Sequence, residues 1–190
     1  MVLPTLVFAG PATGSEAPQF TATTASGKQV SLSDFKGKYV VLEWLNYGCP
    51  YVRKHYATSN MQTLQTTYTT RGVVWLSVLS SAEGKEGFAN AEQAKNDAVM
   101  HSSKASELVL DASGRVGKLF EARTTPHMFV IGPDGKVLYQ GAIDDNDSTR
   151  PATVAGAHNY VAAALDEAMA GKIITTGSTE PYGCSIKYAS

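Results

Sequence analysis

Cys49 is the residue on which reactive chemistry is most readily built. It follows an apolar run at 39–45 and precedes a segment with helical spacing. Its thiol is therefore expected at a helix N-terminus, where the partial positive charge of free N–H groups favours thiolate. Arg53 and Lys54 follow within about one turn and add to that field. A thiolate so placed is a nucleophile at neutral pH. The alternative is a buried structural cysteine, which is the common fate of a lone thiol.

Glu43 lies in the same apolar run. A carboxylate there must be paired or carry a raised pKa, which suits a proton acceptor for the thiol; a solvated strand edge is the plainer reading. Pro126 heads a strand, where proline belongs because it cannot donate to a ladder, and a cis bond fits there. Placed beside Cys49, it leaves the backbone of Thr125 open for substrate pairing, with Arg123 just before it. Tyr51, with Trp44 and Tyr47, surrounds the cysteine and can shape a substrate groove, although core is the default for Trp44. His127 supplies an imidazole if its strand reaches Cys49, but strand alternation equally turns it away. The remaining histidines, His55, His101 and His158, show no ligand spacing.

The elements that position these residues alternate between strand and helix. Residues 20–24 and 29–32 flank Ser26-Gly27-Lys28 as a hairpin. Residues 39–45 and 73–79 read as buried strands. Between them, 50–68 is helical with a break near Thr58-Ser59-Asn60. A polar helix at 91–101, a short strand at 107–111 and a short helix at 116–121 follow. Residues 127–131 and 136–141 flank Gly132-Pro133-Asp134-Gly135 as a second hairpin. An amphipathic helix at 153–170 is stopped by Gly171, and 172–190 is expected to be an irregular tail carrying Cys184. The pattern gives an α/β fold with a central mixed sheet flanked by helices, an N-terminal hairpin and a parallel early strand–helix–strand unit.

Bulk properties narrow the function classes. The chain has 190 residues, 43% hydrophobic and 17% charged, with a formal net charge of -1. That is globular composition, and it lacks the clustered Lys and Arg of a nucleic-acid partner. With two cysteines and no C-x-x-C pair, an all-cysteine zinc site is excluded. Neither a metal nor another cofactor is expected. Residues 1–13 read as a leader or signal remnant: Val7-Phe8-Ala9 fits a cleavage site, but the first basic residue is Lys28. No segment is long and apolar enough for a membrane span.

Two segments, Gly14-Ser15-Glu16-Ala17-Pro18-Gln19-Phe20 and Leu32-Ser33-Asp34-Phe35-Lys36-Gly37-Lys38-Tyr39-Val40-Val41-Leu42, resemble the opening of the redoxins. These are the alkyl hydroperoxide reductase and thiol-specific antioxidant family, a branch of the thioredoxin-like superfamily. Glu43, Cys49 and Thr125-Pro126 match the family's buried acid, first active-site cysteine and cis-proline positions. The resemblance covers about 14–170, and implies a thioredoxin-like domain at 14–171. Gly48-Cys49-Pro50-Tyr51-Val52 and Pro181-Tyr182-Gly183-Cys184-Ser185 are similar to a bacterial subgroup whose members look exported, which implies a periplasmic or extracellular location. Val52 stands at the second thioredoxin cysteine. Leu42 and Asn46 stand where the peroxiredoxin pattern wants Pro and Thr, and the Asn46 amide is the available substitute for that hydroxyl.

The resemblance implies antioxidant, peroxiredoxin-like activity, with Cys49 oxidised by peroxide and Cys184 as resolving thiol, restored by an external reductant of thioredoxin type. The same residues suit thiol–disulfide exchange with exported protein partners. A copper module using Cys49 and His127, or a permanent Cys49–Cys184 staple, are the remaining readings.

Overall fold

The computed structural model describes residues 10–189, so most of the expected leader at 1–13 lies outside the described residues. The first hairpin forms as expected, with β1 (Thr21–Thr24) and β2 (Gln29–Ser31) paired antiparallel. Next come β3 (Val40–Trp44), α1 (Pro50–Ala57), α2 (Asn60–Thr69), β4 (Val74–Leu79), α3 (Ala91–Met100) and β5 (Glu107–Leu110). The remainder is α4 (Arg115–Leu119), β6 (Thr124–Thr125), β7 (His127–Ile131), β8 (Val137–Gly141), α5 (Tyr160–Met169) and β9 (Cys184–Ser185).

Seven strands make one mixed sheet in the order β2-β1-β5-β4-β3-β7-β8. β3 pairs parallel with β4, and β4 with β5; the other neighbours are antiparallel. Side-chain alternation sets the two layers. Val40, Leu42 and Trp44 of β3 point to one face with Leu76, Phe120 and Phe129. Val41 and Leu45 point to the other, where Met61 and Leu64 of α2 and Val161 and Leu165 of α5 cover Trp75 and Met128. Both faces are covered, which is why 39–45 reads as an almost unbroken apolar run. Each large side chain so buried contributes about 1.5–3 kcal/mol.

The helical break falls at Ser59, whose left-handed φ of 58° separates α1 from α2. Two expectations need correction. The last helix starts at Tyr160 rather than 153, because the Asn159 side chain accepts from Ala162 N–H and caps it there. A short 3-10 turn, Pro151–Thr153, precedes it. The tail is not irregular throughout: β9 pairs antiparallel with β6, and Gln140 bridges to Ser178. A run rich in Gly, Ser and Thr hides such pairing, because its hydrogen bonds are backbone ones.

Candidate active site

The turn between β3 and α1 delivers Cys49. Asn46 builds it: the Cys49 N–H donates to Asn46 O (3.0 Å), and the Gly48 N–H donates to Asn46 Oδ1 (2.8 Å). Cys49 is then the N-cap of α1, with Pro50 in the first turn, where a missing N–H costs nothing. The Cys49 Sγ is buried and donates to Thr125 O at 3.0 Å. Thr125 precedes Pro126 through a cis bond.

The tail reaches the same spot from the other side. In the β6–β9 register Cys184 is opposite Thr125, and Ser185 opposite Thr124. Ile186 N–H donates to Arg123 O at 3.0 Å. Both cysteines are free thiols. Burial, and after it the neighbouring Cys49 thiol, pushes the half-buried Cys184 up to about 12. The Thr125 edge expected to be open for substrate is therefore occupied by the chain's own tail, and Thr125 is buried.

Gly183 is what lets the tail come this close. It has φ +139°, and a Cβ there would lie 2.1 Å from Thr125 O. Gly183→Ala is expected to push β9 off β6 and to lower the fraction of Cys49–Cys184 disulfide at a fixed glutathione ratio by about tenfold. Quantitative mass spectrometry of the quenched mixture checks this; an unchanged fraction would show that the pairing does not position Cys184.

The other expected site residues separate into those near the sulfurs and those elsewhere. The Tyr51 ring lies 5.7 Å from that of Tyr182. Arg123 pairs with Glu180 of the tail at 2.9 Å, so its side chain and its carbonyl both hold the tail. Arg53 is exposed beside Pro50 and Ala57 at a surface cleft. Asn46 carries the turn, with its Oδ1 committed to Gly48.

Glu43 has no hydrogen bond to Cys49 among the described residues. Its carboxylate accepts from Tyr56 OH (3.0 Å), Trp75 Nε1 (2.8 Å), Ser77 Oγ (3.0 Å) and Gln65 Nε2 (3.2 Å). Burial raises its pKa and these four donors pull it back in part. It is not at a solvated edge.

His127 is turned away from Cys49. Its ring packs on Phe129 (centroids 4.7 Å) and Trp44 (6.4 Å), on the opposite face of the sheet from the cluster that contains Cys49. Among the described residues no three His, Cys, Asp or Glu side chains converge to hold a metal.

Sequence reasoning missed a cluster that leads to the Cys184 strand: Lys54, His55 and Asp144, all buried, and the half-buried Tyr182. Lys54 Nζ lies 3.8 Å from Asp144 Oδ1, with both side chains buried. Its signal was present in the Tyr182-Gly183-Cys184 spacing, and in Lys54-His55 just beyond Cys49.

The sequence profile of the AhpC/TSA family matches residues 13–140, about two thirds of the chain. The chain belongs to the AhpC/TSA family. The matched stretch of this AhpC/TSA protein contains Glu43, Cys49, Thr125 and Pro126, and Cys184 lies beyond it. It is 29% identical over 135 residues to the thiol-disulfide oxidoreductase ResA of Bacillus subtilis, covering 70% of each chain. Among solved structures it is similar to the thioredoxin domain of a thiol-disulfide oxidoreductase from Bacteroides vulgatus. There the identity is 28% and the TM-score 0.54, over 68% of this chain and 87% of that one. A hypothetical protein from Sinorhizobium meliloti superposes over 96% of this chain and 97% of its own, with TM-score 0.80 and 20% identity. The AhpC/TSA chain thus has a thioredoxin-like fold.

Proposed function

We propose that this AhpC/TSA protein is a thiol–disulfide oxidoreductase in which Cys49 and Cys184 are the exchanging pair. One observation carries the reading: β9 lays Cys184 opposite Thr125, whose carbonyl already holds the Cys49 thiol. The curated relatives named thiol-disulfide oxidoreductases support exchange over peroxide reduction. The commitment of Asn46 Oδ1 to the turn removes half of the amide that could have bound peroxide.

The cycle follows from thiol chemistry. Cys49 thiolate attacks a partner disulfide R–S–S–R′, forming Cys49–S–S–R and expelling R′–S⁻, which takes a proton. Cys184 then loses its proton to solvent and attacks Cys49 Sγ, closing Cys49–S–S–Cys184 and releasing R–SH. An external dithiol of thioredoxin type reduces that bond and is itself oxidised to a disulfide. Burial, and after it the Cys49 thiol, holds Cys184 far on the thiol side in the reduced protein. Because Cys49 is covered, the tail must lift for a protein disulfide to reach it. An oxidising compartment, periplasmic or extracellular, is part of this reading, since there disulfide partners persist. Among the described residues no helix is long and apolar enough to cross a membrane.

The test compares two oxidants on the reduced protein, glutathione disulfide and hydrogen peroxide, by intact and peptide mass spectrometry, alongside insulin reduction driven by a thioredoxin-type reductant. A Cys49–Cys184 crosslink with glutathione disulfide is expected, and insulin turnover should fall by about 100-fold or more in Cys49→Ser. Crosslinking by peroxide alone, with no insulin turnover, would return the protein to the peroxidase class. Insulin turnover unchanged in Cys49→Ser would remove Cys49 from the chemistry.

A further inference from the structure

The helix that presents Cys49 also presents a buried charge cluster, and that cluster grips the tail two residues before Cys184. Lys54 and His55 of α1 have side chains that are 0% exposed, and Asp144, beyond β8, is 2% exposed. Tyr182 OH donates to Asp144 Oδ1. Lys54 Nζ lies 3.8 Å from the same carboxylate oxygen, donates to Asn146 O, and sits 5.0 Å over the centroid of the Tyr182 ring. The Asn60 amide nitrogen lies 2.9 Å from His55 Nδ1, which makes Nδ1 the acceptor and leaves the hydrogen on Nε2. Nε2 in turn lies 3.4 Å from Tyr182 OH and 3.8 Å from Asp144 Oδ2. The hydrogen bonds therefore run Asn60 to His55 to Tyr182 to Asp144, each donor aimed the same way, an arrangement in which each bond polarises the next.

Burying Lys54 and Asp144 is costly, and apolar residues of the same volume would often serve stability as well. What apolar residues would not supply is a fixed position for one phenol. The neighbouring contacts agree: the Tyr51 ring packs on Tyr182, and Gly183 admits the tail against Thr125. Tyr182 is anchored to the helix that carries Cys49, so the anchor sets where Cys184 sits relative to Cys49.

We propose that Tyr182 is a positioning residue, a latch held by Asp144, Lys54 and His55, that keeps the Cys184 strand closed over Cys49. This rests on the exchange reading for its purpose but not for its test. The latch makes disulfide closure within the chain fast by keeping the two sulfurs together. It also shields Cys49 from outside reagents until a partner displaces the tail. Tyr182→Phe keeps the ring, its packing on Tyr51 and its place under Lys54, and removes only the hydroxyl.

The experiment measures two rates on the full chain: alkylation of Cys49 by iodoacetamide in the reduced protein, and closure of Cys49–Cys184 after addition of glutathione disulfide. Relative to wild type, Tyr182→Phe is expected to raise the first about tenfold and to slow the second about tenfold, with the urea midpoint of global unfolding little changed. Asp144→Asn, which keeps shape and removes the charge that receives the phenol hydrogen bond, should move both rates the same way. Conserved rates in Tyr182→Phe would overturn the latch, because that variant removes the hydrogen bond it depends on, whereas Asp144→Asn weakens it to a bond with a neutral acceptor. If wild type closes no disulfide, the exchange reading fails, while the alkylation comparison still decides the latch. Should Asp144→Asn not fold, Tyr182→Phe alone carries the decision.

Discussion

Glu43→Ala is expected to destabilise the fold by about 3–5 kcal/mol, measured by urea unfolding at neutral pH. The loss is large because the carboxylate is the common acceptor for four side chains drawn from α1, α2 and β4: Tyr56, Gln65, Trp75 and Ser77. Truncation leaves those donors buried with one acceptor fewer each. It also leaves a void in the layer where α1 and α2 meet the sheet. Glu43→Gln can keep an oxygen at the Oε2 position for Gln65, Trp75 and Ser77 but then sets an N–H₂ against the Tyr56 hydroxyl, so its cost should fall between wild type and alanine. A loss under about 1 kcal/mol for alanine would show that the donors find other partners. The same pair of variants separates a structural anion from a proton acceptor. If Glu43 serves only the core, glutathione-driven closure of the disulfide in Glu43→Gln keeps its wild-type pH profile while stability falls.

Acid should unfold this protein well above the pH at which ordinary carboxylates protonate. Burial, helped by the charge of Lys54, holds His55 down to about 3, and burial, helped by Arg123, does the same for His127. The unfolded chain takes up both protons as pH falls through about 6.5, whereas the folded chain takes up neither until about 3. The stability these neutral rings contribute is thus present above pH 6.5 and is lost as pH falls toward 3, by up to about 2.7 kcal/mol per pH unit where both differ. The groups facing His55 are Lys54, Asp144 and Tyr182, and the charge near His127 is Arg123. Urea midpoints between pH 7 and pH 4 should fall steeply. A flat midpoint over that range would mean that the rings charge within the folded state.

Much of this architecture was legible because strand and helix patterns are local. The run at 39–45, apolar but for Glu43, the turn at Gly132-Pro133-Asp134-Gly135 and the break near Thr58-Ser59-Asn60 each carry their signal within a few residues, and each is where the sequence placed it. Cys49 at the start of α1 was legible for the same reason. What was not legible depends on contacts between distant positions. Asp144 stands in Asp144-Asp145-Asn146-Asp147, a polar stretch with no local mark of burial, yet the fold buries its side chain against Lys54 of α1. Glu43 was seen to stand in an apolar run, with pairing and a solvated edge both open, because its four donors come from three other elements and no spacing rule gathers them. His127 could only be assigned to one face of β7 once the register with β3 was known, since a shift of one residue exchanges the faces. The tail strand was hidden because its pairing runs through backbone atoms, for which composition is silent.

The β6–β9 ribbon stands outside the seven-stranded sheet. Its hydrogen bonds can therefore break without opening any ladder of the sheet, and its opening free energy is set separately from that of global unfolding. The amides of β9 should exchange with solvent on their own timescale, faster than those of β3 or β7. A covalent bond between Cys49 and Cys184 would abolish that difference by tying the ribbon to the core. The oxidation state of two sulfurs would then be written into the exchange rates of a handful of tail amides, while the rest of the molecule reports nothing.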